Sequence, residues 1–343
     1  MVLEKKQKII LVGALIFCVV IGFAGGWIIK EKTLLLFSPS NALRLGGFKF
    51  ISPLLVCNTN SRATGEDFLS LKNKLQEIVN SARADKKIIT ASIYYRDLKV
   101  GEEIEINSNE KFYPASLRKV PLLMALYKAT EHNPNYLKET KVSLTGTDQN
   151  AQQEIAPKGI AEIGKKYSLE ELAEKMILYS DNNAASALTE LVGTDSLIDL
   201  FAKLQVPLVV FKDDYINVDN RDFITAHDYA IFFRVLYNAT YLKAETSDQL
   251  VNLLTETDYK NGLVAGVPEN ILVAHKFGLL SEKDEVTGAV LGRELHDCGI
   301  VYHPKFPYIL CVMTKSQGSI QEIESLIKEI SQATYQGVDE IKK

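Results

Sequence analysis

A lysine stands where an apolar helix should have none. In Phe112-Tyr113-Pro114-Ala115-Ser116-Leu117-Arg118-Lys119-Val120-Pro121-Leu122-Leu123 the run after Lys119 is apolar, and Ser116 lies three residues before it. On a helix, i and i+3 share one face, so Ser116 and Lys119 point into the same space. A hydroxyl is a weak nucleophile until an adjacent base activates it. A lysine serves as that base when burial or a nearby cation keeps part of it neutral. The tetrapeptide alone is equally a helix-capping serine followed by a solvated lysine. Two things argue for more. Pro114 and Ala115 suit a helix start, and an unpaired lysine buried in an apolar run is costly.

The chain has 343 residues, of which 46% are hydrophobic and 24% charged, as in ordinary globular proteins. The net charge of −4 gives no electrostatic footprint for nucleic acid. Its four cysteines, Cys18, Cys57, Cys298 and Cys311, form no pattern with metal-ligand spacing, so neither a metal site nor a cofactor is expected.

Residues 1–8 carry Lys5, Lys6 and Lys8, and the run from Ile9 to Ile29 has no charge. At about 1.5 Å per residue that run spans a hydrocarbon core of about 30 Å. The reading is a cytoplasmic tail over 1–8 and a single-pass transmembrane helix over 9–29, with Trp27 at the far interface. The rest then lies outside the cytoplasm, on the outer face of the cell membrane. A cleaved signal peptide ending near Ala24-Gly25-Gly26 is the competing reading. Residues 30–65 read as a connector, in which Phe48–Val56 is a short strand docking on the main domain. Cys57 after Leu54-Leu55-Val56 is not a lipoprotein box, because Val56 is too large and the site too far along the chain.

The catalytic domain is expected over 66–343. Phe68, Leu71, Leu75, Ile78 and Val79 have helical spacing. Ile88–Tyr95 and Glu102–Ile106 read as a hairpin. Residues 128–165 read as loops and short helices over the site. Ser168 with Glu171 has the pattern of a capping box. Helices are expected from Thr225 to Leu236 and from Ser247 to Thr255. Strands follow at Ile271–Gly278, Val286–Leu291, Cys298–His303 and Tyr308–Thr314, then a closing helix over Ile320–Tyr335. Cys298 and Cys311 fall almost opposite on neighbouring strands, where a disulfide and two buried thiols both fit. His275 is expected at the sheet edge, and His296 and His303 as structural or exposed residues.

Ser180-Asp181-Asn182 is a polar triplet wedged between two apolar helical runs. It is either a loop whose Ser or Asp caps the next helix or a catalytic loop beside Ser116. Lys276-Phe277-Gly278 ends a predicted strand. Ser116-x-x-Lys119, Ser180-Asp181-Asn182 and Lys276-Phe277-Gly278, in that order, resemble the signature of class A β-lactamases and penicillin-binding proteins. Tyr179–Ala185 and Val273–Lys276 extend the likeness, which covers about residues 66–340.

The resemblance implies an α/β (α+β) β-lactamase/transpeptidase-like fold, an antiparallel sheet flanked by helices plus an all-helical subdomain. It implies a serine hydrolase acting on β-lactams or cell-wall peptides of D-Ala-D-Ala type. Ser116 would attack the carbonyl and Lys119 would take its proton. Ser180 would pass a proton to the leaving nitrogen, Asn182 would position Lys119 and the substrate amide, and Lys276 would supply positive charge. Backbone N–H groups of Ser116 and Leu279 would form the oxyanion hole, with Phe277 and Gly278 beside it. Two departures stand out. Phe277 replaces the Thr or Ser whose hydroxyl holds the substrate carboxylate. The segment before Arg221-Asp222 also lacks the glutamate that activates the hydrolytic water. Asp213 and Asp214 are the candidate replacements; as plain solvated loop acids they would leave the acyl-enzyme to turn over slowly. A slow penicillin-binding D,D-peptidase and a non-catalytic peptidoglycan-binding module are therefore the alternatives, and a glutaminase-like amidase is the least favoured.

Overall fold

The computed structural model describes residues 43–56, 65–133, 135–151, 153–207, 224–284 and 286–340. The expected transmembrane run 9–29, the loop acids Asp213 and Asp214, and Arg221-Asp222 lie outside these residues. Among the described residues no helix is long and apolar enough to cross a membrane.

A five-stranded antiparallel sheet carries the architecture. In chain order the strands and helices are β1 (Leu43–Arg44), β2 (Leu54–Val56), α1 (Gly65–Ala84), β3 (Thr90–Asp97), β4 (Glu103–Ile106), α2 (Lys119–Thr130) and α3 (Tyr136–Glu139). Then come β5 (Lys141–Ser143), β6 (Lys166–Ser168), α4 (Leu169–Leu178), α5 (Asn182–Leu204), α6 (Ala226–Asn238) and α7 (Ala244–Thr255). The chain closes with β7 (Val273–Lys283), β8 (Val290–Val301), β9 (Tyr308–Lys315) and α8 (Ile320–Glu340). The sheet order is β4-β3-β9-β8-β7, which leaves β7 at one edge.

Alternation along each strand splits the interior into two cores. Ala274, Cys298, Ile300, Cys311 and Met313 face the core built on α2 and α4–α7. Val273, Phe277, Leu295, Leu310 and Val312 face the core closed by α1 and α8 through Leu75, Val79, Ile323 and Ile330. Local signals place the helices between them. Ser168 and Glu171 form a capping box at α4, with Glu171 N–H donating to Ser168 Oγ at 3.2 Å and Ser168 N–H to Glu171 Oε2 at 2.6 Å. Thr225 caps α6 by accepting from Asp228 N–H at 3.1 Å.

Three sequence expectations are corrected. The separate strands Val286–Leu291 and Cys298–His303 are one strand, β8, from Val290 to Val301. Gly292 and the charged Arg293, Glu294 and Asp297 look like a break, yet the ladder runs through them, with Glu294 opposite Leu280 and Asp297 opposite Phe277. Residues 128–165, read as loops and short helices, also contribute β5, which pairs with β6 through Val142 opposite Tyr167. In the connector the described strands are β1, Leu43–Arg44, and β2, Leu54–Val56, rather than one strand over Phe48–Val56. Residues 44–53 dock by single hydrogen bonds instead: Phe50 N–H donates to Asp248 at 2.9 Å and Tyr302 Oη–H to Phe50 C=O at 2.6 Å. Cys298 and Cys311 are directly opposite on β8 and β9 and are joined as a disulfide.

Candidate active site

Ser116 lies on a 3₁₀ turn, Ala115–Arg118, and Lys119 is the first residue of α2. Ala115 before the serine is in the left-handed region at φ 48°, a strained conformation for a residue with a Cβ. The turn is held by Leu117 N–H to Pro114 C=O at 2.9 Å, and Tyr229 Oη–H donates to Leu117 C=O at 2.9 Å from the core below.

Lys119 Nζ is the hub. It lies 3.1 Å from Ser116 Oγ, 3.1 Å from Ser180 Oγ, 2.6 Å from Ser180 C=O and 2.7 Å from Asn182 Oδ1. An ammonium has three N–H donors and cannot serve four oxygens with full bonds. A neutral amine has two N–H groups and a lone pair, which can accept a hydroxyl proton.

The polar triplet divides its members between a helix cap and the cluster around Lys119. Asp181 caps α5, accepting from Ala184 N–H at 3.1 Å, and is tied further by Asn150 Nδ2–H at 3.0 Å and by Ala161 N–H. Ser180 and Asn182 on either side reach Lys119. Ser180 is a second left-handed non-glycine residue, at φ 58°. Its carbonyl is gripped by Lys119 at 2.6 Å and by Gln153 Nε2–H at 3.4 Å. Asn150 also receives Asn182 N–H at 2.7 Å, and Asn182 Nδ2–H donates to Gln149 C=O at 3.2 Å. The supports Gln149, Asn150 and Gln153 were not singled out in the sequence, since a polar loop has no periodicity to mark them.

Lys276 reaches the same hydroxyl from β7. Its Nζ lies 3.0 Å from Ser180 Oγ and 2.9 Å from Phe277 C=O, and its side chain is fully buried. Gly278 lets β7 pass against the Ala115–Arg118 turn, because a Cβ there would lie 2.8 Å from Pro114 C=O and 3.1 Å from Leu117 N. Leu279, with Tyr113, Ser116, Lys119, Gln149 and Asn182, lines a cavity of about 470 Å³. No Asp or Glu is among the described lining residues. Phe277 is elsewhere: its ring stacks on Tyr259 with centroids 4.1 Å apart, in the core rather than on the cavity wall.

Two buried amines share one hydroxyl, and each loses proton affinity. Burial, then the Lys276 charge, holds Lys119 well below the usual lysine range, with Asp181 opposing. Burial pushes Lys276 down to about 7, and Asp297 opposes it. The site thus offers a hydroxyl, an amine able to take its proton, a second hydroxyl as proton conduit, and a cation. Among the described residues one group has ligand-type atoms close enough for a metal, Glu103, Glu105 and His227. Glu103 there is already engaged by Arg96 and by Tyr94 Oη–H at 2.9 Å.

The geometry has counterparts. A β-lactamase from Sphaerobacter thermophilus superposes with a TM-score of 0.65 at 23% identity, covering 79% of this chain and 99% of that one. A class A β-lactamase from Bacteroides cellulosilyticus gives 0.65 at 20%, covering 79% and 99%. PBP-A gives 0.64 at 22%, covering 79% and 96%. These likenesses carry the β-lactamase/transpeptidase-like fold. No curated protein sequence matches. The beta-lactamase enzyme family matches from residue 70 to residue 338, nearly the whole sheet-and-helix body, and the chain belongs to that family.

Proposed function

We propose that this protein is a membrane-anchored serine acyl hydrolase that opens β-lactams or D-Ala-D-Ala-type amides through an acyl-enzyme on Ser116. The observation that carries this is the 3.1 Å approach of Lys119 Nζ to Ser116 Oγ, with the lysine's proton affinity lowered by burial. In the forward step Ser116 Oγ bonds the carbonyl carbon as its proton passes to Lys119 Nζ. The C–N bond then breaks, and the nitrogen takes a proton through Ser180 Oγ, which lies 3.1 and 3.0 Å from the two amines. Asn182 Oδ1 holds Lys119 in line, and Lys276 supplies charge near the substrate anion. Backbone N–H groups of Ser116 and Leu279 serve as oxyanion donors, each worth about 10²–10³ in rate. The uncharged run Ile9–Ile29 supports anchoring, with the catalytic body outside the cytoplasm.

Slow turnover is favoured over efficient hydrolysis, because residues 211–220 carry no glutamate to activate the hydrolytic water. A PBP-A variant with 22% identity and a TM-score of 0.64 is known as an acyl-enzyme complex with penicillin G. The test is incubation with a fluorescent penicillin, followed by intact mass over time. A persistent adduct lost in Ser116→Ala supports the penicillin-binding reading. A transient adduct with lactam consumption supports a working β-lactamase, with Asp213→Asn and Asp214→Asn as the next variants. No adduct and no consumption rejects the lactam substrate.

A further inference from the structure

Behind Lys276 lies a hydrogen-bonded chain that the proposed reaction does not use. His275 Nδ1 and Asp297 Oδ1 are 2.7 Å apart, and His275 Nε2 and Thr257 Oγ1 are 2.7 Å apart. The second carboxylate oxygen of Asp297 accepts from Leu263 N–H at 2.8 Å. In outline this is a hydroxyl–imidazole–carboxylate triad, but it has no access. His275 and Asp297 are 0% exposed and Thr257 is 2% exposed. Nothing outside the protein can reach Thr257, so nucleophilic chemistry is excluded there.

The arrangement is nevertheless built with care. A carboxylate and an imidazole are taken wholly out of water, which is costly unless each is fully hydrogen-bonded. Gly262 clears the space, since a Cβ there would fall on Asp297 Oδ2. The imidazole belongs to the residue immediately before Lys276, and Asp297 is opposite Phe277, immediately after it. Asp297 acts electrostatically on Lys276, Tyr229, Tyr259 and Lys260, while Lys119, beyond Lys276, is acted on by Lys276, Asp181 and Arg118.

Resting on the acyl-transfer reading above, we propose that the sealed Thr257–His275–Asp297 chain is a positioning device for Lys276. Its carboxylate supplies the negative field that keeps the Lys276 ammonium charged beside Ser180. His275 locks that carboxylate behind the strand and out of reach of substrate. Asp297 is a buried carboxylate whose field at Lys276 acts against the burial of the amine. Field and hydrogen bonding thus have separate owners, which makes the roles separable by substitution.

The experiment is carbon NMR of the full-length chain labelled at lysine Cε, titrated without substrate, with the Lys276 resonance assigned by its loss in Lys276→Arg. Wild type is expected to titrate near 7. Asp297→Asn is expected to lower the midpoint by about one unit or more, the scale set by a nearby opposite charge. His275→Gln keeps the carboxylate and is expected to keep the midpoint within about half a unit. An unchanged midpoint in Asp297→Asn, or an equal fall in both variants, overturns the proposal. If Asp297→Asn does not fold, Asp297→Glu carries the test. It keeps the charge and should keep the midpoint, and a fall of about one unit counts against the proposal. Because no substrate is present, this outcome is independent of whether penicillin acylates Ser116.

Discussion

Lys119 and Lys276 meet at one oxygen: their Nζ atoms lie 3.1 and 3.0 Å from Ser180 Oγ, although they come from a helix and an edge strand 157 residues apart in sequence (276 − 119). Two ammonium groups this close in a buried site disfavour one another. The resting arrangement best suited to chemistry is therefore one neutral and one charged amine.

For the proposed acyl transfer, that pairing should set the pH profile. At low pH Lys119 is protonated and cannot take the Ser116 proton, so the rate rises as Lys119 loses its proton, at a pH well below the usual lysine range. The rate falls again as Lys276 loses its charge, near 7. The expected result is a bell for acylation by an anionic lactam, with its alkaline limb near neutrality. Lys276→Arg keeps its charge across this range. The alkaline limb should disappear in that variant, and a limb that stays in place removes Lys276 from the assignment.

Stability has the opposite dependence. The folded protein holds Lys276 with a proton affinity lowered to about 7, against 10.5 in the free side chain. Between those values the unfolded chain binds more protons, so stability climbs with pH across that window and is least below it. Lys276→Met removes the burden. It should be about 1–2 kcal/mol more stable than wild type at pH 6, with the gain shrinking toward pH 10, while acylation is lost. Urea unfolding at the two pH values reads this directly.

Local signals made much of this molecule legible. Ser116 and Lys119 share a helical face by spacing, Ser168 and Glu171 announce the start of α4, and the apolar run Ile271–Ala274 marks a strand. Non-local pairing was less visible. The continuity of β8 through Gly292–Asp297 depends on partners in β7 and β9 that tolerate its charges, which no local pattern encodes. His275 looked like an edge residue, but its partners Asp297 and Thr257 are remote in sequence and bury it completely. Phe277 read as a cavity residue from its place after Lys276, and only the contact with Tyr259 shows its ring turned into the core.

Asp181 should matter for both fold and rate. It caps α5 and ties down Asn150 and Ala161 while its neighbours hold Lys119. Asp181→Ala loses a cap and leaves buried donors unpaired, at a cost of about 2–4 kcal/mol. Asp181→Asn keeps part of the bonding and should cost less. Acylation of the folded fraction should still drop in both, because Ser180 and Asn182 lose their common anchor. Melting curves and adduct formation per folded molecule separate the two effects.

The Cys298–Cys311 disulfide closes a short loop between β8 and β9, with a sequence separation of 13. Loop-closure entropy for that span is worth about 3 kcal/mol. Replacing both residues with alanine should lower the denaturant midpoint by an amount of that size. The separation between Ser116 and Lys119 is set by the 3₁₀ turn and α2, so acylation at 25 °C should survive. Loss of acylation in a variant that remains folded would show that the sheet spacing at β8 controls the site.

Phe277 offers the sharpest contrast between packing and specificity. Its ring is 7% exposed, stacked 4.1 Å from Tyr259, and lies 4.2 Å below Lys276 Nζ. Phe277→Thr removes that stack and opens a void, which should cost about 3 kcal/mol of stability. The new hydroxyl would stay on the core side with the ring it replaces, away from the cavity wall. A hydrogen bond to a charged group is worth about 1.5–3 kcal/mol, and each 1.4 kcal/mol is about tenfold. A gain of that size for a penicillin, absent for its carboxylate-free methyl ester, is therefore not expected at a side chain turned into the core, and acid and ester should change alike. An equal change for acid and ester would mean that residue 277 acts only through packing, and that this site recognises its substrate without reading a carboxylate there.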